Sequence, residues 1–219
     1  RVSDLGGGIR LARLDADVRT GDPGLPELAG LETDLRINFR HDGHDSPVVP
    51  SRGTRATISL IHYFASPDEE QIARSNEGVT QLEGGAATFW KWRTRNRLFF
   101  VASGGTSFKG EPISQFQLGY PFRLDAFTVG ERRGDHYGVL TVGYLRQLGR
   151  LPDFMGGPVF IGSWLENGSA FSSDEDADFN TQTAFGLVID SLIGPLVGGT
   201  SVGLDGGWRV FIAIGRMFR

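Results

Sequence analysis

Cysteine is absent from the 219 residues, which excludes disulfide staples and thiolate metal sites. Long apolar runs are absent as well. Nothing approaches the roughly 18 consecutive apolar residues of a spanning helix, so a transmembrane helix is excluded. The membrane itself is not, because a spanning β-strand shows only every second residue to lipid and reads as half polar. An excess of one charge is also missing: 22 Lys and Arg stand against 26 Asp and Glu, a net charge of −4 with the signs interspersed. That is not the footprint of a nucleic-acid binder. No segment carries a helical apolar stripe, which argues against an α/β fold. The sequence opens at Arg1 without an initiator Met or an apolar signal region. A secreted or outer-membrane chain would need such a signal, so a processed product or a fragment is expected.

Glycine is abundant, at 32 residues or about twice the usual share of about 7%, and Phe contributes 16 residues. This balance fits a β-rich protein with tight turns and interfacial aromatics. The clearest periodicity lies at 31–40. Leu31, Thr33, Leu35, Ile37 and Phe39 share one face, and Glu32, Asp34, Arg36, Asn38 and Arg40 share the other. Strict period two predicts a strand. Further strands are predicted at 9–19, 54–64, 78–92, 97–107, 136–148, 158–166, 181–190, 194–204 and 208–218, about ten in all. In 9–19 the alternation sets Ala12, Leu14, Ala16 and Val18 against Leu11, Arg13, Asp15, Asp17 and Arg19.

Connections alternate in length. Short ones fall at 93–96, 149–157 and 190–194, and long polar ones at 20–30, 66–77, 109–134 and 168–180. Short turns at one end and long loops at the other are the habit of outer-membrane barrels. The connections 41–53 and 205–207 break the pattern. A soluble β-sandwich also has many strands, but its strands average five or six residues and its polar face is the solvated one. Dense charged faces of mixed sign on strands of about ten residues fit a water-filled lumen and a tilted spanning strand better. The last segment ends the pattern with Trp208, Val210, Ile212, Ile214 and Phe218 on one face.

Four segments carry a family resemblance: the turn from His41 to Gly53, with Asp42, Asp45, Pro47, Pro50, Arg52 and Gly53; the stretch Pro121 to Phe127 before Gly130 to Gly134; the strand motif Gly162 to Gly168; and Ile193-Gly194-Pro195-Leu196. In this order they resemble the Omp85 superfamily, also called the bacterial surface antigen domain, over about residues 30–218. The wording of 118–171 is closest to barrels fused behind a patatin-like phospholipase, the type Vd secretion arrangement. The resemblance implies an antiparallel transmembrane β-barrel of sixteen strands, of which this chain would hold the last ten. It implies that the loop 109–134 folds back into the lumen and faces Glu166, near Gly168. The family's loop arginine maps to Asp125, so its usual ion pair with the strand carboxylate cannot form in that register. Arg123, Arg132 or Arg133, flanking Phe127, is therefore expected to neutralise Glu166, because a poorly solvated carboxylate needs a partner.

The resemblance further implies a place in the outer membrane of a Gram-negative bacterium, among its lipids and lipopolysaccharide. The terminal strand resembles the signal read by the barrel-assembly machinery, although Arg219 follows the final aromatic. The barrel would anchor and translocate an upstream patatin-like domain of the same polypeptide; a homodimer is left open.

No catalytic residue, metal or cofactor is expected. Gly199-Thr200-Ser201-Val202-Gly203 matches a nucleophile elbow and would make Ser201 a lipid hydrolase's nucleophile. Strand continues on both sides of it, however, with no helix to expose the hydroxyl. His41 and His44 with Asp42 and Asp45 suggest a metal, but the turn already accounts for the aspartates. The acidic run Asp174, Glu175, Asp176 and Asp178 lacks calcium-loop spacing. Gly6-Gly7-Gly8 precedes a predicted strand and no helix, so a phosphate cradle is unsupported. Trp90, Trp92, Trp164 and Trp208, with Tyr137 and Tyr144, read as interfacial girdles.

Overall fold

Alternating side chains commit a segment to a strand only if neighbouring strands accept its register, and here they do. The computed structural model describes residues 1–16, 28–65, 78–108, 115–119, 122–124, 126–128, 130–152, 154–173, 177–204 and 206–215. Its strands are β1 (Val2–Ala16), β2 (Leu28–Asp42), β3 (Gly53–Ala65), β4 (Val79–Lys91), β5 (Asn96–Phe108), β6 (Phe116–Gln117), β7 (Arg133–Gly134), β8 (His136–Arg150), β9 (Gly156–Phe171), β10 (Asn180–Ser191), β11 (Gly194–Gly203) and β12 (Trp208–Ile214). Ten of them form one antiparallel sheet in chain order, and β6 with β7 makes a separate two-stranded sheet between β5 and β8. The protein is all-β among the described residues. The large sheet is a single layer with β1 and β12 at its two ends, and no pairing between them is seen among the described residues. Two stacked sheets, as in a sandwich, are not what these strands build.

All ten predicted strands are present. The first is displaced: it spans Val2–Ala16, where 9–19 was expected, and residues 17–19 lie outside the described residues. Gly6, Gly7 and Gly8 are inside it, opposite Asn38, Ile37 and Arg36. The faces of this strand also differ from expectation. Leu5, Ile9 and Leu11 pair with Phe39, Leu35 and Thr33 on the outer face, which leaves Arg10 and Ala12 on the inner one. Three glycines carry no side chain to alternate, so the register against β2 decides the faces.

Cross-strand partners point to the same side of a sheet, so each face can be followed as rows. One row runs Leu5–Phe39–Ile58 and another Phe100–Val142–Leu165. Many of these side chains are exposed, with Ile58, Val142 and Leu165 near one-half. The opposite face carries the row Asp42–Arg55–Ala87–Val101–Thr141–Glu166–Gln182. Strand β8 shows the contrast in three residues: Leu140 is 50% exposed, Thr141 0% and Val142 54%. The exposed face is apolar, and the buried face holds the polar groups.

The buried face is not charged throughout, contrary to the expectation of charged inner faces. Charge concentrates on β1–β3, while β4–β12 bury Phe89, Phe99, Leu145, Phe160, Trp164, Val188, Val197 and Phe211. The reason lies in what covers them. Val48 and Val49 of the turn after β2, and Phe122 of the loop after β5, join this cluster and exclude water from it. Gly143 sits under the rings, because a Cβ there would collide with Phe99 and Trp164.

Candidate functional site

Residues 115–119, 122–124, 126–128 and 130–134 fold onto the inner face between β5 and β8. The pair Phe116↔Gly134 and Gln117↔Arg133 starts the loop as a short ribbon. Leu118, Phe122, Leu124 and Phe127 then bury themselves against the sheet. Phe116 meets Tyr137 at 5.0 Å between ring centres, in space that a Cβ at Gly105 would close. Phe122 lies 4.8 Å from Trp164 in a stacked arrangement and 6.1 Å from Phe99 edge-on. At the tip, Phe122 and Leu124 adopt φ of 63° and 59°. Left-handed backbone costs an L-residue about 1–2 kcal/mol, so contacts must hold the tip in place.

Those contacts come from three strands. Glu166 of β9 is 0% exposed, and its Oε2 accepts the Leu124 amide at 2.7 Å and the Gln182 side-chain amide of β10. Gln182 in turn accepts the Ala126 amide at 2.7 Å, and Arg209 of β12 donates to the Phe127 carbonyl. Charge-assisted bonds to a buried carboxylate are the stronger kind. Gly168, two residues beyond Glu166, is buried where a Cβ would strike the Gly138 backbone.

Two of the three arginines expected near Glu166 form their ion pairs elsewhere. Arg123 reaches Glu83 of β4 at 3.0 Å, the Tyr137 hydroxyl donates to the same oxygen at 2.6 Å, and the guanidinium lies 5.3 Å from the Tyr137 ring centre. Arg132 sits 3.6 Å from Asp178 and 5.1 Å from the Phe127 ring centre. Arg133 is exposed on β7. Asp125 lies outside the described residues, as does Phe218. Trp208, Val210, Ile212 and Ile214 share the exposed outer face of β12, as the alternation predicts.

Beside the loop, β1–β3 form a charged wall. Asp34 is 0% exposed and lies 2.6 Å from both Arg10 and Arg36, while Glu32 also pairs with Arg10. A cavity of about 500 Å³ lies next to it, lined by Asn38, Arg40, Arg55, Ser59, Glu83 and Arg123 among others.

The turn 43–52 is built around Asp45. Its carboxylate accepts the Ser51 amide at 2.7 Å, the Arg52 amide at 3.2 Å and the Ser51 hydroxyl. Burial pushes the Asp45 carboxyl up, but these three donors together bring it below its ordinary value. His44 turns inward, edge-on to Phe89 and 3.1 Å from the Ala87 carbonyl. Burial lowers its imidazole below the usual range, against the opposing pull of that hydrogen bond.

The remaining motifs are placed as follows. Ser201 lies inside β11 with its hydroxyl buried and without a hydrogen-bond partner among the described residues, so no exposed elbow forms. His41 bonds Ser3 at 2.8 Å, and Asp42 lies 3.2 Å from Arg40. No cluster of three metal-ligating side chains occurs among the described residues. Asp174, Glu175 and Asp176 lie outside them. Trp90, Trp92 and Trp208 are exposed on the outside, but Trp164 and Tyr137 are buried and belong to the inner face rather than a girdle.

Sequence reasoning missed Glu83, Gln182 and Arg209 as partners of the loop. A signal existed for the first: Glu83 is the sole acidic residue between Gly78 and Gly110. The sequence matches no protein-family model and no curated protein.

Proposed function

We propose that this chain is the C-terminal part of an outer-membrane β-barrel of the bacterial surface antigen type, which anchors and helps to translocate an upstream patatin-like domain. One observation carries the reading. Across the ten-stranded sheet the apolar residues of one face remain exposed, while the other face holds the ion pairs of Arg10, Glu32, Asp34 and Arg36 on β1 and β2 and a packed aromatic cluster on the later strands. Monomeric soluble proteins rarely leave more than a few hundred Å² of contiguous apolar surface uncovered. Hydrocarbon is the solvent that such a face suits, with each backbone group satisfied in the ladder. Apart from the two-residue β6 and β7, the strands from β1 to β11 have 10–16 residues and span the roughly nine to eleven needed for a tilted crossing.

In this reading the loop 115–134 is the plug. It fills the inner face of β4–β12 and leaves the charged wall of β1–β3 beside it as the wetter side. No pairing between β1 and β12 is seen among the described residues, and the resemblance would supply further strands upstream as the remainder of a sixteen-stranded barrel. Mechanistically the barrel does physical work: an apolar belt holds it in lipid, and displacement of the strained tip from Glu166 and Gln182 opens a path.

The test is biochemical. The intact protein should require detergent for extraction, fractionate with the outer membrane, and migrate faster on a gel unboiled than boiled. Release by high salt alone, with no heat-dependent mobility shift, would dispose of the membrane reading.

A further inference from the structure

The short turns 92–95 and 151–155 lie side by side, because β5 pairs with β8 and the Gln147 amide donates to the Arg95 carbonyl at 2.8 Å. Around them the chain reverses its overall charge. No acidic residue occurs between Gly84 and Gly110 or between His136 and Pro152, and Asp153 is the one acid in the second turn. Those stretches hold Lys91, Arg93, Arg95, Arg97, Arg146 and Arg150 at this end of a chain whose net charge is −4. Lys91, Arg93, Arg95 and Arg146 are exposed. Arg146 shares its row with outward Ile161. Trp90 and Trp92, 52% and 57% exposed, stand beside the cations, and the Arg93 guanidinium lies 5.8 Å from the Trp92 ring centre.

We propose that this rim is a binding surface for the anionic headgroups of glycerophospholipids. The inference rests on the barrel reading and adds to it a lipid class and a location. Three features favour that occupant. Arg146 continues directly from the apolar outer face and Arg93 and Arg95 lie in the adjoining turn, whereas Lys91 shares the inner-face row of Arg97, so a lipid whose acyl chains lie along Leu98 and Ile161 presents its phosphate to the three arginines. Indole rings settle at the depth of the headgroups. Guanidiniums on short turns bind phosphate through paired N–H donors without needing a pocket. Short turns face the periplasm in barrels of this kind, so the leaflet concerned is the inner one.

The experiment uses the intact protein, with Trp208 and any tryptophan outside these 219 residues replaced by Phe, so that Trp90 and Trp92 are the exposed tryptophans. It is folded into vesicles of brominated phosphatidylcholine or brominated phosphatidylglycerol mixed with the unbrominated other lipid. Bromine quenches indole fluorescence on contact, and competition gives the relative association of the two lipids at the rim. Phosphatidylglycerol is expected to win by about fivefold for each cation that its phosphate meets, with the preference shrinking in high salt. Arg93→Gln, Arg95→Gln and Arg146→Gln together should equalise the lipids. Replacing the three arginines with lysine should keep most of the preference, which separates charge from fold. Equal quenching by both lipids in the parent protein, or a preference that survives neutralisation, overturns the headgroup site and leaves the barrel reading intact. Absence of quenching by either lipid defeats both.

Discussion

The inner wall of β1–β3 and the inner wall of β8–β12 solve the same problem with opposite chemistry. Both turn an apolar face outward. Inward, β1–β3 place Arg10, Glu32, Asp34 and Arg36, whereas β8–β12 place Leu145, Phe160, Trp164, Val188 and Phe211. The difference follows the cover. The loop 115–134 and the turn 43–52 lie on the second wall and make it a dry core. The first wall must satisfy its charges from its own side chains. Inside and outside are therefore separate design questions in this sheet, and the inside is set locally by what fills it.

The comparison breaks most severely at Trp164. It packs against Phe122 and Phe211 with 2% of its surface exposed. Trp164→Ala should cost about 3–5 kcal/mol, read from urea unfolding of the lipid-folded protein. No neutralising second change should rescue it. The charged wall should behave differently. Removing Arg10 and Arg36 together strips the buried Asp34 of both guanidiniums. A fully buried pair would lose about 3–5 kcal/mol. Both arginines are about two-fifths exposed, so water screens the loss and we expect about 2 kcal/mol. Adding Asp34→Asn should return most of it, since a neutral amide needs no counter-charge. If the triple variant is no better than the double, the wall is held by packing and the contrast fails.

These two walls were not equally legible. At 31–40 one face is charged and the other apolar, so alternation declares the strand and both its faces at once. On β8–β12 both faces are largely apolar: Leu140 and Val142 point out, Val139 and Leu145 point in. Alternation there predicts a strand but not which side is buried, which is why Trp164 read as a girdle residue. Burial depended on a loop whose contacts are distant in sequence, with Arg123 and Glu83 forty residues apart. Glu166 could be named from its motif; Gln182 and Arg209, which hold the same tip through backbone groups, left no pattern to read.

Glu83 stands where the walls meet, and it sharpens the comparison. It ties Arg123 of the loop to the charged side and also accepts from Tyr137. Glu83→Gln keeps an acceptor for the tyrosine but removes the ion pair. With both partners more than a third exposed, the loss of stability should be about 0.5–1 kcal/mol. On the proposed barrel reading the larger consequence is kinetic: more frequent openings in planar-bilayer recordings, as the tip leaves the wall. Unchanged gating would mean that Glu166, Gln182 and Arg209 hold the tip by themselves.

The smallest effect concerns the turn 43–52, which caps the dry wall from the end opposite to the loop. Asp45 titrates below its ordinary 3.8 and His44 below its ordinary 6.5 in the folded protein. A depressed folded value means that the unfolded chain takes up the proton first, so both groups stabilise at high pH and lose that contribution on acidification. The His44 share is complete above 6.5 and drains as the pH falls towards its lower folded value. The Asp45 share is complete above 3.8 and is lost below that. Two successive steps should therefore appear in the amide chemical shifts of Ser51 and Arg52 as the pH is lowered. Asp45→Asn should erase the lower step and leave the upper, and His44→Phe should do the reverse. Neither variant should change the response of the buried Asp34 on the β1–β3 wall: Val48 and Val49 pack on the apolar cluster, and the turn meets that wall at its end, where the His44 amide donates to Asp42 at 3.2 Å. A pH step shared by both walls would show that they unfold as one unit, and the separation of inside chemistry drawn above would then be structural but not energetic.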